Sequence, residues 1–158
     1  MIGVDPGLIA TGYGCLETGP GGVDVVDSGL ITTVAGEPLE GRLHAIHDGV
    51  RALLDKHAPS LLVVEDLYAE YKFPRTAILM GHARGVIYLA AAEHGVAVLP
   101  LAPAEVKLAI AANGAASKGQ VERGVQRLLH LSSSPRPSHV ADALSLALTG
   151  LSRVGSRL

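Results

Sequence analysis

The sequence predicts an α/β fold on a mixed sheet, in which an antiparallel meander leads into alternating strands and helices. Three observations carry that prediction. The opening residues form short apolar runs separated by the glycine-rich segment Thr18 to Gly22, for which a hairpin is the simplest connection. From Pro38 the apolar residues recur every three to four positions, the spacing of an amphipathic helix. Beyond that helix, apolar runs alternate with helix-period stretches, so the second half of the sheet is predicted to be parallel.

Taken in order, Met1 to Val4 is a short strand running into Asp5-Pro6-Gly7, with Pro suited to the second position of a tight turn and Gly to a position needing positive φ. The strand therefore ends on a carboxylate. Tyr13 to Leu16 and Val23 to Thr33 complete the meander. Leu39, Leu43, Ile46, Val50, Leu53 and Leu54 lie on one face of a helix whose first turn suits Pro38. Leu61 to Val64 is continuously apolar between Pro59-Ser60 and Glu65-Asp66, as expected of a strand buried on both faces. It too ends on carboxylates. A helix over 75–94, a strand over 96–101 and helices over 104–112 and 118–129 follow. Ser117 and Gln120 have capping-box spacing, and Ser138 is placed to cap a last helix running to about residue 151. No repeat, low-complexity tract or interdomain linker interrupts the chain, which reads as one domain over residues 1–158.

Composition narrows the class. Hydrophobic residues make up 48% and charged residues 18%, which excludes intrinsic disorder and a coiled coil. A single cysteine, Cys15, cannot form an internal disulfide, so a reducing compartment, the cytoplasm, is expected. The N-terminus lacks the pattern of a signal peptide, and the most apolar segment, Gly85 to Ala92, is stopped by Glu93 and His94 before it reaches membrane-spanning length. The formal net charge of −2 hides an asymmetry. Residues 1–66 carry ten acids and three bases, and residues 67–158 five acids and ten bases. A fold that gathers Lys72, Arg75, Arg84, Lys107, Lys118, Arg123 and Arg127 on one side would offer a face for a polyanion.

Asp5 and Glu65 are both predicted at the C-terminal ends of strands, and His139 and Asp142 share a face of the last helix by their i, i+3 spacing. Carboxylates brought within a few ångström of one another repel by about 4 kcal/mol per pair at an effective dielectric near 20. Divalent cations with oxygen ligands relieve that repulsion, and a pair of them is the arrangement used for in-line cleavage of phosphodiesters. Alone, Asp-Pro-Gly also reads as a plain turn and Asp142 as a complement to the helix dipole. Convergence on one site favours the metal. Glycoside hydrolysis, the other two-carboxylate chemistry, is disfavoured by an aromatic content of only 3%. Three of the five aromatic residues, Tyr68, Tyr71 and Phe73, fall within six positions and alternate with Lys72 and Arg75. Rings beside cations suit stacking on unpaired bases, and a patch closing over the core is the alternative.

The motifs Gly3-Val4-Asp5-Pro6-Gly7, Thr11-Gly12-Tyr13-Gly14, Val64-Glu65-Asp66-Leu67-Tyr68, Gly81-His82-Ala83-Arg84-Gly85-Val86 and Ala141-Asp142-Ala143-Leu144 occur in that order. Together they resemble the RuvC family of bacterial Holliday-junction resolvases. The resemblance implies a ribonuclease H-like fold: a five-stranded mixed sheet, three antiparallel strands then two parallel, with helices on both faces. It implies a metal-dependent endodeoxyribonuclease that nicks two like strands of four-way junction DNA symmetrically, leaving 5′-phosphate and 3′-hydroxyl ends. Its metal ligands match Asp5, Glu65, His139 and Asp142, with two Mg²⁺ or Mn²⁺ ions per site. His139 stands where the family more often has a carboxylate. Lys107 and Lys118 match the basic pair at the scissile phosphate, Tyr68 the aromatic inserted at the junction point, and Tyr71, Lys72, Phe73 and Arg75 fall in the same DNA-contacting segment. A homodimer formed through the helix bearing Gly81 to Gly85, RuvA and RuvB as partners, and a place at the nucleoid of a bacterial cytoplasm are also implied. Two other readings compete. An actin-like ATPase shares the Gly-x-Asp-x-Gly opening but needs a second lobe, and a non-catalytic junction-binding module needs neither Glu65 nor Asp142.

Overall fold

A computed structural model describes residues 1–67 and 74–155. Strands β1 (Ile2–Asp5), β2 (Ala10–Gly19) and β3 (Gly22–Thr32) are followed by α1 (Leu39–His57), β4 (Leu61–Glu65), α2 (Pro74–Glu93), β5 (Ala97–Leu101), α3 (Pro103–Ala111), α4 (Lys118–Leu128) and α5 (Ser138–Arg153). The sheet has the order β3-β2-β1-β4-β5. β1 pairs antiparallel with β2, and β2 with β3, while β1 with β4 and β4 with β5 are parallel. The mixed sheet read from the sequence is therefore the sheet observed. β2 extends beyond the apolar run Tyr13 to Leu16 because its small and polar ends still find ladder partners on β3, from Ala10 opposite Thr32 to Gly19 opposite Gly22.

Alternation along β4 explains why its apolar run is unbroken. Leu62 and Val64 join Ile2, Val4 and Cys15 in a core covered by α1 and α2, whereas Val63 joins Leu16 and Leu101 in a core covered by α3, α4 and α5. Both faces are buried, so every position must be apolar.

α5 lies unusually close to the sheet. A Cβ on Gly3 would overlap the Ala143 carbonyl, one on Gly12 the His139 carbonyl, and one on Gly14 would sit 2.6 Å from Leu144 Cδ2. These three glycines form a floor on β1 and β2 that lets helix backbone meet strand backbone. From Val140 to Leu151 every α5 residue except Asp142 is buried. Ser145 and Thr149 satisfy their buried hydroxyls by donating to the carbonyls of Ala141 and Ser145, each at 2.8 Å.

Three local expectations are corrected. Gly7 does not adopt positive φ; it is needed because a Cβ there would strike the Ala10 carbonyl, and Thr11 Oγ1 closes the turn by donating to Gly7 O at 2.8 Å. Ser138 is the first residue of α5 and not its cap: Pro137 holds the N-cap position without a side-chain hydrogen bond. Arg84 leaves the proposed basic face, since its side chain turns inward, 15% exposed, and donates to Asp66 Oδ1 at 3.0 Å. The capping box of α4 forms as expected, Ser117 N–H donating to Gln120 Oε1 at 2.8 Å. Among the described residues no helix is long and apolar enough to cross a membrane.

Candidate active site

β1 sits at the centre of the sheet, and Asp5 at its C-terminal end is only 8% exposed. The parallel register that sets Val4 beside Val64 brings Glu65, the last residue of β4, to the same end of the sheet. α5 crosses that end over the glycine floor and delivers His139 from its first turn and Asp142 from the start of its second. Asp5, His139 and Asp142 each offer one ligand atom, all within 4.8 Å of one another. The Nδ1 of His139 lies 2.7 Å from Asp5 Oδ2. Lys118, the first residue of α4, donates from Nζ to Asp142 Oδ2 at 2.8 Å. Glu65 stands outside the tight group but opens into a cavity of about 250 Å³ that Asp5, Asp142, Lys107 and Lys118 also line.

The electrostatics follow from that crowding. Burial pushes the Glu65 carboxyl up to about 7, and the negative charges of Asp5 and Asp142 add to the rise while Lys107 and Lys118 oppose it. Asp5 is raised mainly by burial, against which the hydrogen bond from His139 works. Its bond to Asp142 raises Lys118, which remains a full cation. Three carboxylates thus share one end of the sheet with too little positive charge to satisfy them. The donor set, carboxylate oxygens with one imidazole, fits a divalent cation of the Mg²⁺ or Mn²⁺ type.

The structure therefore brings together Asp5, Glu65, Lys107, Lys118, His139 and Asp142 of the residues singled out in the sequence. Arg75 is exposed at the start of α2. Tyr68, Tyr71, Lys72 and Phe73 lie outside the described residues. Sequence reasoning missed a brace beside the site. Asp66, next to Glu65, takes a hydrogen bond from Arg84, whose Nη2 also lies 2.7 Å from the Tyr88 hydroxyl and whose guanidinium stacks 4.9 Å from that ring's centroid. Asp66 N–H in turn donates to Leu101 O at 2.8 Å. No spacing rule links an acid and a base 18 residues apart, so the only available signal was their presence in two consecutive motifs.

Comparison with known proteins decides the family. A family model described as "Crossover junction endodeoxyribonuclease RuvC" matches residues 1–150. The chain belongs to the RuvC family. It is 44% identical to the RuvC of Moorella thermoacetica over 148 residues, covering 94% of this chain and 88% of that protein. With the RuvC of Rhodopirellula baltica it shares 42% identity over 150 residues, 95% of this chain and 84% of the relative. Among solved structures, "T. thermophilus RuvC in complex with Holliday junction substrate" superposes with a TM-score of 0.89 at 35% identity, covering 99% of this chain and 97% of that one. The ribonuclease H-like fold of the RuvC family, with its strand order, is thus the fold of this chain.

Proposed function

We propose that this RuvC-family endonuclease resolves four-way DNA junctions at the cluster formed by Asp5, Glu65, His139 and Asp142, which together hold two divalent ions, Mg²⁺ or Mn²⁺. The observation that carries this reading is the convergence of Asp5, His139 and Asp142 within 4.8 Å, with Glu65 raised to about 7 beside them. Such ions, when bound, activate a water for attack on phosphorus and stabilise the leaving 3′ oxygen. The chain's own residues do the rest. Asp5 is held by the central strand and by His139 Nδ1, so it cannot swing away; His139 keeps its Nε2 for a ligand. Lys107 and Lys118 line the same cavity and are positioned to meet the non-bridging oxygens of the scissile phosphate. In the described conformation Lys118 neutralises Asp142, and an arriving phosphate competes for that ammonium.

Symmetric cleavage needs two such sites. The exposed side of α2 carries Ile78, His82, Gly85 and Leu89 at steps of four, three and four, with Ile78 62% and Leu89 52% exposed. This stripe, with its two exposed aliphatic side chains, supports a homodimer about a two-fold axis, which matches the symmetry of a junction. Tyr68 is proposed to enter the junction point, with Tyr71, Lys72, Phe73 and Arg75 contacting the arms. Handover from RuvA and RuvB at the nucleoid of a bacterial cytoplasm completes the reading and rests on family resemblance.

The test is cleavage of a synthetic four-way junction with Mg²⁺, with Mn²⁺ and with EDTA. Paired nicks bearing 5′-phosphates are expected with metal and none in EDTA. Cleavage that persists in EDTA would overturn the metal assignment, and binding without any cleavage would favour the junction-binding module.

A further inference from the structure

The carboxylate cluster has two sides of opposite chemistry. On one side lies the cavity lined by Lys107 and Lys118; on the other, a cleft of about 470 Å³ reaches the same Asp5 and Asp142 and also His139. The second cleft is walled by Pro6, Leu8, Ile9, Leu79 and Met80, from the β1–β2 turn and from α2. Among the described residues the only Lys or Arg lining it is Arg42, which is already engaged: Nε donates to Thr33 Oγ1 at 2.9 Å and Nη2 to Leu8 O at 3.1 Å.

The wall is stiff. Leu8 O also accepts from Thr33 Oγ1 at 2.6 Å, Thr33 N–H donates to Ile9 O at 3.0 Å, and Thr11 ties down Gly7. These bonds hold Ile9 62% exposed at the rim. An apolar side chain fixed in water beside a charged cluster gains nothing for the fold. It is what a preorganised pocket for a flat apolar ligand requires, and the volume is within the range of small-ligand sites.

We infer that this cleft receives the nucleobase of a nucleotide flanking the scissile phosphate, unstacked from its neighbours and laid against Ile9 and Met80. The inference rests on the nuclease reading and deepens it. A nucleic-acid strand alternates anionic phosphate with apolar base. If the phosphate crosses Asp5 and Asp142 toward Lys107 and Lys118, the adjoining nucleoside falls on the other side, where the described residues offer an apolar wall and no free Lys or Arg. Charge and shape then select the same strand position.

Single-turnover cleavage tests this on a four-way junction with one cut site, intact or carrying an abasic residue immediately 5′ or 3′ of the scissile phosphate. The proteins are wild type and Ile9→Ala/Met80→Ala, with Ile9→Ala alone as the variant least able to disturb folding. Base removal on one side is expected to slow the wild type by about fivefold or more, the low end of what a stacked base contributes. The double variant should be slowed to a similar degree on the intact junction and be indifferent to base removal, with Ile9→Ala between the two. Base removal that leaves wild type within about twofold at both positions, or that slows wild type and variant equally, overturns the cleft assignment while leaving the nuclease reading in place. A wild type that cuts no junction overturns both.

Discussion

Two of the places where this molecule sets acidic groups beside basic ones behave oppositely. On β3, Asp27 receives hydrogen bonds from Lys56 Nζ at 2.7 Å and His57 Nε2 at 2.9 Å, and the Lys56 bond above all holds its carboxyl below the usual range. At the far end of β1 and β4, Asp5 and Glu65 are held above it. The residue types are the same. What differs is the ratio: one acid with two basic partners near the surface, against three buried or half-buried carboxylates with Lys107, Lys118 and a shared His139. The first arrangement clasps α1 to the sheet. The second crowds carboxylates whose burial and mutual repulsion raise them, a strain that the proposed divalent ions would relieve.

The sharpest way to break this contrast is to remove one charge from the second arrangement. Asp5→Asn or Glu65→Gln should lower junction cleavage by roughly 10³-fold or more, since several kcal/mol of metal-borne stabilisation are lost. Junction binding should stay intact or tighten, because repulsion of the phosphates falls. Cleavage surviving within about tenfold of wild type would contradict the assignment.

Stability gives the second comparison. A carboxyl near 4.5 in the unfolded chain and about 7 in the folded one favours folding while protonated, so its contribution is fully present below about pH 4.5 and is lost as pH rises through 7. In EDTA, Glu65→Gln should therefore be more stable than wild type at pH 8 by roughly 2–4 kcal/mol, and nearly equal at pH 4. Denaturant titrations at the two pH values check this; parallel pH profiles for the two proteins would refute it. Adding Mn²⁺ should raise the melting temperature of wild type more than that of the variant.

His139 supplies a finer test. An imidazole among oxygen ligands should make Mn²⁺ more effective than Mg²⁺ by several-fold, and His139→Asp should narrow that gap. Initial rates in both metals decide it, an unchanged preference meaning that His139 does not touch the ion. The smallest effect belongs to the clasp. Asp27→Asn should cost at most about 1 kcal/mol at pH 7 and leave cleavage unchanged. Because Asp27 is depressed, its contribution exists above its unfolded pKa and disappears in acid, so the difference between Asp27→Asn and wild type should vanish at low pH.

Much of this was legible in the residues. Apolar periodicity located five strands and five helices, and the strand-end positions of Asp5 and Glu65 were readable because apolar runs stopped on carboxylates. The reason for their meeting with His139 and Asp142 was not readable in the same way. It depends on Gly3, Gly12 and Gly14 lying under α5, and glycines on two strands form one floor only once the register is known. Arg84 was misplaced for a related reason: charge counting assigns every base to the surface, whereas burial against Asp66 and Tyr88 is a matter of geometry. The apolar cleft left no signal, since it joins Ile9 of the β1–β2 turn to Met80 of α2, and only the fold sets those two side by side.

The hydrogen bond between Asp5 and His139 joins residues 134 positions apart. Bacterial and eukaryotic ribosomes add about 5–20 residues each second, so a growing chain carries Asp5 for roughly 7–27 s before His139 has been made. During that interval no metal cluster of this composition exists. A prematurely terminated product ending before α5 would lack two of the four proposed ligands and the helix that covers the sheet. Metal-dependent cleavage is therefore not expected of such a fragment, because the proposed ligands meet only once α5 has been made.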